Sequence, residues 1–257
     1  LAPVLGAYVL AVAEWHAIFW VLAGFGVLCV AAVTLGLPET LPPERRSHGG
    51  IGGALRGYGA LCFDRPFLGL AFCSAFGSGA LFAYITAAPF VFISEHGVSA
   101  RTFSILFGVN AFGLILSSQL NAVLLRRFTS RRILSAAGVV NAALGLALVA
   151  VVLSAPGRLA ELAVPLFLFI ASLGFIFPNA VATAMARTQT RAGSASALIG
   201  VLQFFLGAVA SALVGQLGDG GAFSMAIVMA AAAVAGWFMG RGGLHAAGGR
   251  AGQLPRS

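Results

Sequence analysis

Long apolar runs fill most of this sequence, and their length limits what the chain can fold into. One complete run, Ala17–Leu37, precedes a polar stretch at Pro38–Pro66, and six more runs follow it. A helix needs about 20 apolar residues to cross a hydrocarbon core of roughly 30 Å. Apolar residues make up 60% of the chain and charged residues 9%, whereas about 25% of residues in soluble domains are charged. The sequence therefore predicts an all-α membrane protein with several spans.

The six later runs have the lengths of membrane-crossing helices. They are predicted at Phe67–Ile93, Phe103–Leu125, Ile133–Ser154, Leu162–Ala186, Ser194–Leu217 and Phe223–Gly240. As a helix, thirteen residues reach only about 20 Å, so Leu1–Ala13 is predicted to be the end of a span that begins before the sequence does. The Gly-rich residues from Arg241 onward are predicted to form a disordered tail.

The polar stretch Pro38–Pro66 divides the chain into two bundles. Its backbone groups would lack hydrogen bonds within lipid, so it is predicted to be a loop at the membrane surface. Within it, Ile51–Phe63 is predicted to form a helix that lies along the membrane. The predicted domains are the end of a first bundle (1–37), this loop (38–66), a six-helix bundle (67–240) and the tail (241–257).

The arginines predict the orientation of the spans. All fifteen basic residues are Arg; thirteen lie in loops on one side, including the turn Arg126–Arg132, and two, Arg101 and Arg158, lie on the other. Cytoplasmic loops carry an excess of basic residues. The central loop and the C-terminus are therefore predicted to be cytoplasmic, and the net charge of +8 indicates orientation in a lipid bilayer, not a nucleic-acid partner.

Several classes of protein do not fit this pattern. No predicted span carries an Asp, Glu, Lys, Arg or His well inside the hydrocarbon, and intramembrane enzymes need such groups. The cysteines Cys29, Cys62 and Cys73 are far apart, and the four histidines lie outside the apolar runs, so no metal site is expected. The sequence also shows no ring of charge that would indicate a channel.

Uncharged polar or small residues recur at helical spacing on three predicted spans. The three faces are Asn110, Ser117 and Asn121; Ser172, Asn179 and Thr183; and Ser196, Gly200, Gln203 and Gly207. Such residues either join helices by hydrogen bonds or line a water-accessible cavity, and the sequence leaves both interpretations open. The candidates for substrate contacts are the largest hydrogen-bonding side chains near the span centres: Tyr84, Asn110, Asn179 and Gln203. Candidate apolar walls are Phe82, Phe175, Phe177 and Phe204.

Two further features bear on movement. Pro89 and Pro178 each free a backbone carbonyl inside a span and predict helix bends, which are either static or flex during transport. The arginines of the basic turn are an orientation signal, or an inner gate whose guanidinium groups pair with carbonyls or carboxylates of a neighbouring helix; they are Arg126, Arg127, Arg131 and Arg132. A stripe of small residues in the span before Pro89 predicts close helix packing: Ala71, Ala75, Gly79, Ala83 and Ala87.

This pattern resembles the major facilitator superfamily. Two bundles joined by a long inner loop, with a basic turn between the second and third of six later spans, are similar to its organisation. Pro3 and Gly6 in the opening LAPVLGA match the end of its antiporter motif. More specific stretches resemble the bicyclomycin/chloramphenicol-resistance (Bcr/CflA) family of drug:proton antiporters: IFWVLA, LPETLPPERR, FAYITAAPFVF, GFIFPNAVATAMA and GSASALIGVLQFFLGA.

The resemblance implies a C-terminal six-helix half, together with helix six and the end of helix five of that fold. It also implies export of small amphipathic drugs across a bacterial inner membrane, driven by the proton gradient, without a cofactor and by a monomer. The family's first four helices, and the proton-coupling residues expected there, have no counterpart in this sequence. An exporter of a native metabolite and a non-functional truncated gene product remain as alternatives.

The resemblance also predicts how the six later spans are arranged. Phe67–Ser154 and Leu162–Gly240 are expected to form two three-helix units related by a pseudo-two-fold axis. The first helix of each unit, which carries Pro89 or Pro178, is expected at the centre of the bundle. The third helices, Ile133–Ser154 and Phe223–Gly240, are expected to face lipid.

Overall fold

The structure, a computed structural model, describes residues 13–36, 50–154, 159–188, 191–217 and 221–251. All regular elements in these ranges are helices: α1 (His16–Gly36), α2 (Gly50–Cys62), α3 (Arg65–Pro89), α4 (Ala100–Leu124), α5 (Ser130–Ser154), α6 (Leu159–Met185), α7 (Ala192–Gln216) and α8 (Ala222–Ala251). The predicted helix end over residues 1–12 and the first part of the predicted central loop, 37–49, lie outside the described residues.

Seven of these helices, all except α2, are long and apolar enough to cross a membrane. The prediction of an all-α protein with several spans is therefore confirmed. The chain divides into two compact units, Leu1–Gly53 and Ala54–Ser257. The described span of the first unit is α1, which has no buried residues. The second unit contains the six-helix bundle.

The helices α3 and α6 form the centre of the six-helix bundle. The main partners of α3 are α6, α7 and α8, those of α6 are α3, α4 and α5, and α5 packs against α8. Exchanging α3 with α6, α4 with α7 and α5 with α8 reproduces this set of contacts. The bundle therefore has the predicted pseudo-two-fold arrangement, with the two proline-containing helices at its centre.

The expectation that the third helices face lipid stays a prediction, and α8 is the more buried of the two. Half of its span is buried, whereas α4 and α7 are the least buried spans of the bundle. The physical reason is that α8 packs against both α3 and α5 and buries Met225, Met229 and Leu244 between them. The more exposed surfaces of this unit belong to the second helix of each three-helix group.

The last helix is longer than the sequence suggested. It continues to Ala251, so the prediction that the span ends at Gly240 and a disordered tail begins at Arg241 is wrong. At Gly69 of α3, an added Cβ would lie 2.7 Å from the Cα of Gly243 and 2.8 Å from the Met239 carbonyl oxygen. The glycines that resemble a linker therefore let α8 lie directly against α3. Residues 252–257 of the predicted tail lie outside the described part of the chain.

The C-terminal end of α3 changes helix type at its proline. After Pro89 the chain continues as a π-helical turn, Phe90–Glu95. Both carboxylate oxygens of Glu95 accept from the backbone N–H of Ala222, at 3.1 and 3.2 Å. Ala222 is the first residue of α8, and a negative charge at a helix N-terminus is stabilising. By contrast, Pro178 lies within the continuous helix α6.

The small-residue stripe and the loop helix are both found in the structure. Ala71, Ala75, Ala83 and Ala87 are buried together with Gly79, which confirms the stripe as a packing face of α3. The helix predicted at Ile51–Phe63 is present as α2. Its residues Gly57 and Leu61 are buried, and Gly57 faces Ser194 of α7. This part of α2 thus packs against the bundle.

Candidate functional site

Helix α4 turns its polar face inward. Its buried residues are Asn110, Gly113, Ser117 and Asn121, whereas Ile105, Phe112 and Ile115 are about 60% exposed. This distribution is the reverse of that in a soluble protein, and it follows from the absence of a hydrophobic driving force between helices in lipid. The polar face predicted from spacing is therefore the face by which α4 attaches to the bundle.

Two of the candidate residues join α3 to α4. The Asn110 side-chain amide donates to the Tyr84 hydroxyl at 2.9 Å, and both residues are buried. The ring of Tyr84 stacks on Phe107, with ring centroids 5.5 Å apart and an interplanar angle of 14°. Asn110 thus gives the oxygen of this buried phenol a hydrogen-bond partner in an apolar environment.

The third candidate, Asn179, joins α6 to α4. Its amide nitrogen donates to Asn121 Oδ1 at 2.6 Å and to the Phe175 carbonyl at 2.7 Å. The Asn179 Oδ1 atom is buried and has no hydrogen-bond partner among the described residues. On α4, one turn before Asn121, the Ser117 hydroxyl donates to the Ala171 carbonyl of α6 at 2.5 Å. Hydrogen bonds of this kind contribute about 0.6 kcal/mol each in membranes.

The fourth candidate, Gln203, lies between α3 and α7. It is half-buried, and its amide nitrogen donates to the buried Ser74 hydroxyl at 2.6 Å. Further out along the same pair of helices, the Thr86 hydroxyl donates to Ser211 at 2.9 Å. Sequence reasoning missed Ser74. The available signal was its position three residues after Ala71, beside the small-residue stripe of α3.

The candidate aromatic walls are divided between two sides of the bundle. Phe82 and Phe204 meet edge to face, with ring centroids 6.0 Å apart, and Phe204 is 70% exposed. Phe175 and Phe177 are half-buried on α6. The structure therefore brings two of the four aromatic rings together on α3 and α7, the helices that Gln203 joins, while Tyr84, Asn110 and Asn179 are occupied by contacts between helices. Whether any of the four candidates contacts a substrate stays a prediction.

One arginine of the basic turn contacts a neighbouring helix. The Arg131 guanidinium donates to the Leu244 carbonyl of α8 at 2.5 Å. The guanidinium groups of Arg126, Arg127 and Arg132 are exposed and have no hydrogen-bond or ion-pair partner in the described part of the chain. Arg131 thus ties the turn to the inner end of α8, and a gating role for the turn remains a prediction.

The amino-acid sequence was also compared with known proteins. A profile of the Major Facilitator Superfamily matches residues 1–212. The chain belongs to the Major Facilitator Superfamily. The two-fold arrangement of three-helix units in the bundle agrees with this membership. The chain is thus part of a membrane transporter.

Individual relatives within the superfamily extend the comparison. The chain is 36% identical over 240 residues to the uncharacterized MFS-type transporter YdgK of Bacillus subtilis. It is 31% identical over 233 residues to a bicyclomycin resistance protein homolog of Haemophilus influenzae, and each of these matches covers 91% of the chain. It is 27% identical over 208 residues, or 79% of the chain, to the multidrug resistance protein MdtL of Klebsiella pneumoniae. The resemblance to bicyclomycin-resistance proteins is therefore confirmed.

The chain is shorter than these relatives. It spans 58% of the length of the first two and 50% of the length of MdtL.

Proposed function

We propose that the complete protein is a drug:proton antiporter that exports small amphipathic molecules across the bacterial inner membrane. The observation that carries the proposal is the similarity of 91% of this chain to a bicyclomycin resistance protein homolog. The similarity to multidrug resistance protein MdtL supports the same class of substrate. In this proposal the protein acts as a monomer without a cofactor, and the proton gradient supplies the energy.

The proposed substrate contacts are Tyr84, Asn110, Asn179 and Gln203. A site for neutral amphipathic molecules needs apolar walls and a few convergent polar groups. Gln203 is half-buried near the exposed ring of Phe204. The other three side chains are held by bonds that end on α4, so a displacement of α4 would release all of them together.

The proposal also includes movement of the helices during transport. Bending at Pro89 and Pro178 in the two central helices would change the packing of α4 and α7. The basic turn Arg126–Arg132 would close the inner side, because Arg131 links it to the end of α8.

Drug susceptibility tests the proposed activity directly. A strain that expresses the complete reading frame should resist several amphipathic drugs more strongly than a strain with the empty vector. A protonophore should remove the difference, because antiport draws its energy from the proton gradient. Resistance that persists in the presence of the protonophore contradicts proton coupling, and no change for any drug contradicts the proposed substrate class.

Alanine variants test the proposed contacts. Asn179→Ala and Gln203→Ala should each reduce resistance to some drugs several-fold, because one uncharged hydrogen bond contributes about 0.5–1.5 kcal/mol to affinity. The matched control is Asn141→Ala, since Asn141 is outside the proposed set of substrate contacts and its amide donates to Ser172 at 2.8 Å and to the Phe169 carbonyl. The control should leave the pattern of resistance unchanged at normal protein level. Equal effects of all three variants would assign these residues to helix packing alone.

Cysteine labelling tests the proposed orientation, in which the C-terminus is cytoplasmic. In a background without native cysteines, a Cys at Ser99 should react with an impermeant maleimide added to intact spheroplasts. A Cys at Thr129, in the basic turn, should react only after the membrane is permeabilised. Both positions are exposed at helix ends. The reverse pattern of labelling is incompatible with the orientation.

A further inference from the structure

An apolar groove of about 700 Å³ runs between α4, α5 and α6 at the end of the bundle that carries the basic turn. Leu124, Phe128, Arg132, Val140, Leu168 and Phe175 are among its lining residues. Phe128, Val140 and Leu168 are each about half exposed, so the groove is open along its side. On α5 it extends from Arg132 to Leu144, which is about 18 Å of helix. This length is similar to the hydrocarbon depth of one leaflet, roughly 15 Å.

A single charged residue lines this groove, at the end where the polar surface of the membrane lies. Arg132 is exposed, and its guanidinium has no partner among the described residues. Its neighbour Arg131 is already bonded to the Leu244 carbonyl. A guanidinium group binds phosphate through two parallel N–H donors. The groove thus combines an apolar channel of leaflet length with an unpaired cation at its polar end.

The pseudo-two-fold arrangement provides an internal comparison. Exchanging the two three-helix units converts the groove between α4, α5 and α6 into one between α7, α8 and α3. A groove of about 350 Å³ is found there, lined by residues such as Leu206, Leu213, Ile227 and Val228. None of the described residues that line it is charged. The two grooves therefore share their architecture but differ in volume and in the presence of an arginine.

We propose that the groove between α4, α5 and α6 binds an anionic phospholipid, with one acyl chain along the groove and the phosphate on Arg132. Basic pockets between membrane helices bind anionic headgroups, and an open apolar groove suits a chain that is already dissolved in the bilayer. The groove shares Phe175 with the candidate aromatic walls, but none of the four proposed polar substrate contacts lines it, and the proposal does not depend on which molecule is transported.

Native mass spectrometry of the purified complete protein tests this proposal. Phosphatidylglycerol and phosphatidylethanolamine with identical acyl chains are offered at equal concentration, and the protein should retain phosphatidylglycerol preferentially. Arg132→Gln should reduce this preference about fivefold, the equivalent of about 1 kcal/mol for one arginine near anionic lipid. Arg126→Gln removes the same charge from the same turn but outside the groove lining, so it should leave the preference unchanged.

A second pair of variants tests the apolar part of the site. Ala136 lines the proposed groove and Ala231 lines its counterpart. Ala136→Phe should abolish preferential retention of phosphatidylglycerol, whereas Ala231→Phe should preserve it.

Three outcomes would overturn the proposal. Equal losses with Arg126→Gln and Arg132→Gln would indicate diffuse attraction of anionic lipid to the basic turn. Retention that Ala136→Phe does not alter would place the lipid elsewhere. The absence of any preference in the unmodified protein would mean that the groove is covered by protein or filled without headgroup selection. If Ala136→Phe fails to fold, the two arginine variants still decide the matter.

Discussion

Gly174→Ala is expected to lower the free energy of unfolding of the bundle by about 3 kcal/mol, at the upper end of the usual range for overpacking. Gly174 lies where α6 crosses α4. A Cβ there would overlap the Ser117 hydroxyl oxygen and lie 2.5 Å from the Leu114 carbonyl oxygen and 2.9 Å from the Ser118 backbone nitrogen. Because two of these three atoms belong to the backbone, α4 and α6 would have to separate to admit one methyl group.

The control for this experiment is the same substitution at an open position. At Gly200 of α7 an added Cβ would meet no atom within 4 Å, and Ala favours a helix over Gly by about 1 kcal/mol in water. Gly200→Ala should therefore leave the thermal unfolding midpoint of the purified protein unchanged or raise it. Equal midpoints for the two variants would show that α4 and α6 do not approach as closely as described.

Gly243→Leu is expected to detach the inner end of α8 from α3. An added Cβ at Gly243 would lie 3.0 Å from both the Leu70 nitrogen and the Pro66 carbonyl oxygen, so a leucine side chain has no room. Cys73 reports on this contact, because it is 4% exposed and its sulfur lies against Gly240 of α8. If the clash destabilises this interface by about 1–3 kcal/mol, the rate of Cys73 labelling should rise by roughly 5- to 150-fold.

The neighbouring residue serves as the control. At Gly242 an added Cβ meets nothing within 4 Å, so Gly242→Leu changes the same helix without closing the gap to α3. Labelling with N-ethylmaleimide is measured in a background in which Cys29 and Cys62 are replaced by serine, leaving Cys73 as the sole thiol of the chain. If Cys73 stays protected in Gly243→Leu, or reacts equally fast in both variants, the close approach of α3 and α8 is wrong.

The spacing of polar residues identified the face of α4 that turns inward, without deciding between helix packing and a cavity. Asn110, Ser117 and Asn121 repeat at helical spacing, and they are buried where the apolar residues of the same helix are exposed. The prediction works because lipid solvates apolar side chains as well as protein does, so polar and small residues mark the contacts. The same rule explains why the small stripe on α3 was recognised.

The identity of the bonding partners was not accessible from the sequence. Gln203 pairs with Ser74, more than a hundred residues away. Arg131 pairs with a backbone carbonyl, a group that every residue has and that the sequence therefore cannot single out. Such pairs depend on the rotation and register of whole helices, which nearest-neighbour spacing does not define. For the same reason the sequence did not separate the half-buried Gln203 from the fully engaged Tyr84, Asn110 and Asn179.

The extent of α8 shows a different limit. Glycine-rich segments with a few charges form flexible linkers in water, and the residues after Gly240 have that composition. In a membrane bundle the same glycines permit backbone contact between helices, as Gly243 does with Gly69. Composition alone does not distinguish these two uses of glycine, because the difference lies in what surrounds the helix.

The π-helical turn after Pro89 determines where Glu95 points. A π turn holds one residue more than the corresponding α-helical turn, and each residue of an α-helix rotates the side-chain direction by about 100°. Glu95 caps α8 through Ala222 in this register. Removing one residue between Phe90 and Ser94 would turn the carboxylate away from α8 while leaving α3 before Pro89 in phase. The attachment of this turn to the first residue of α8 therefore depends on the number of residues as well as on their identity, so a one-residue deletion would abolish it while leaving Glu95 and Ala222 in the sequence.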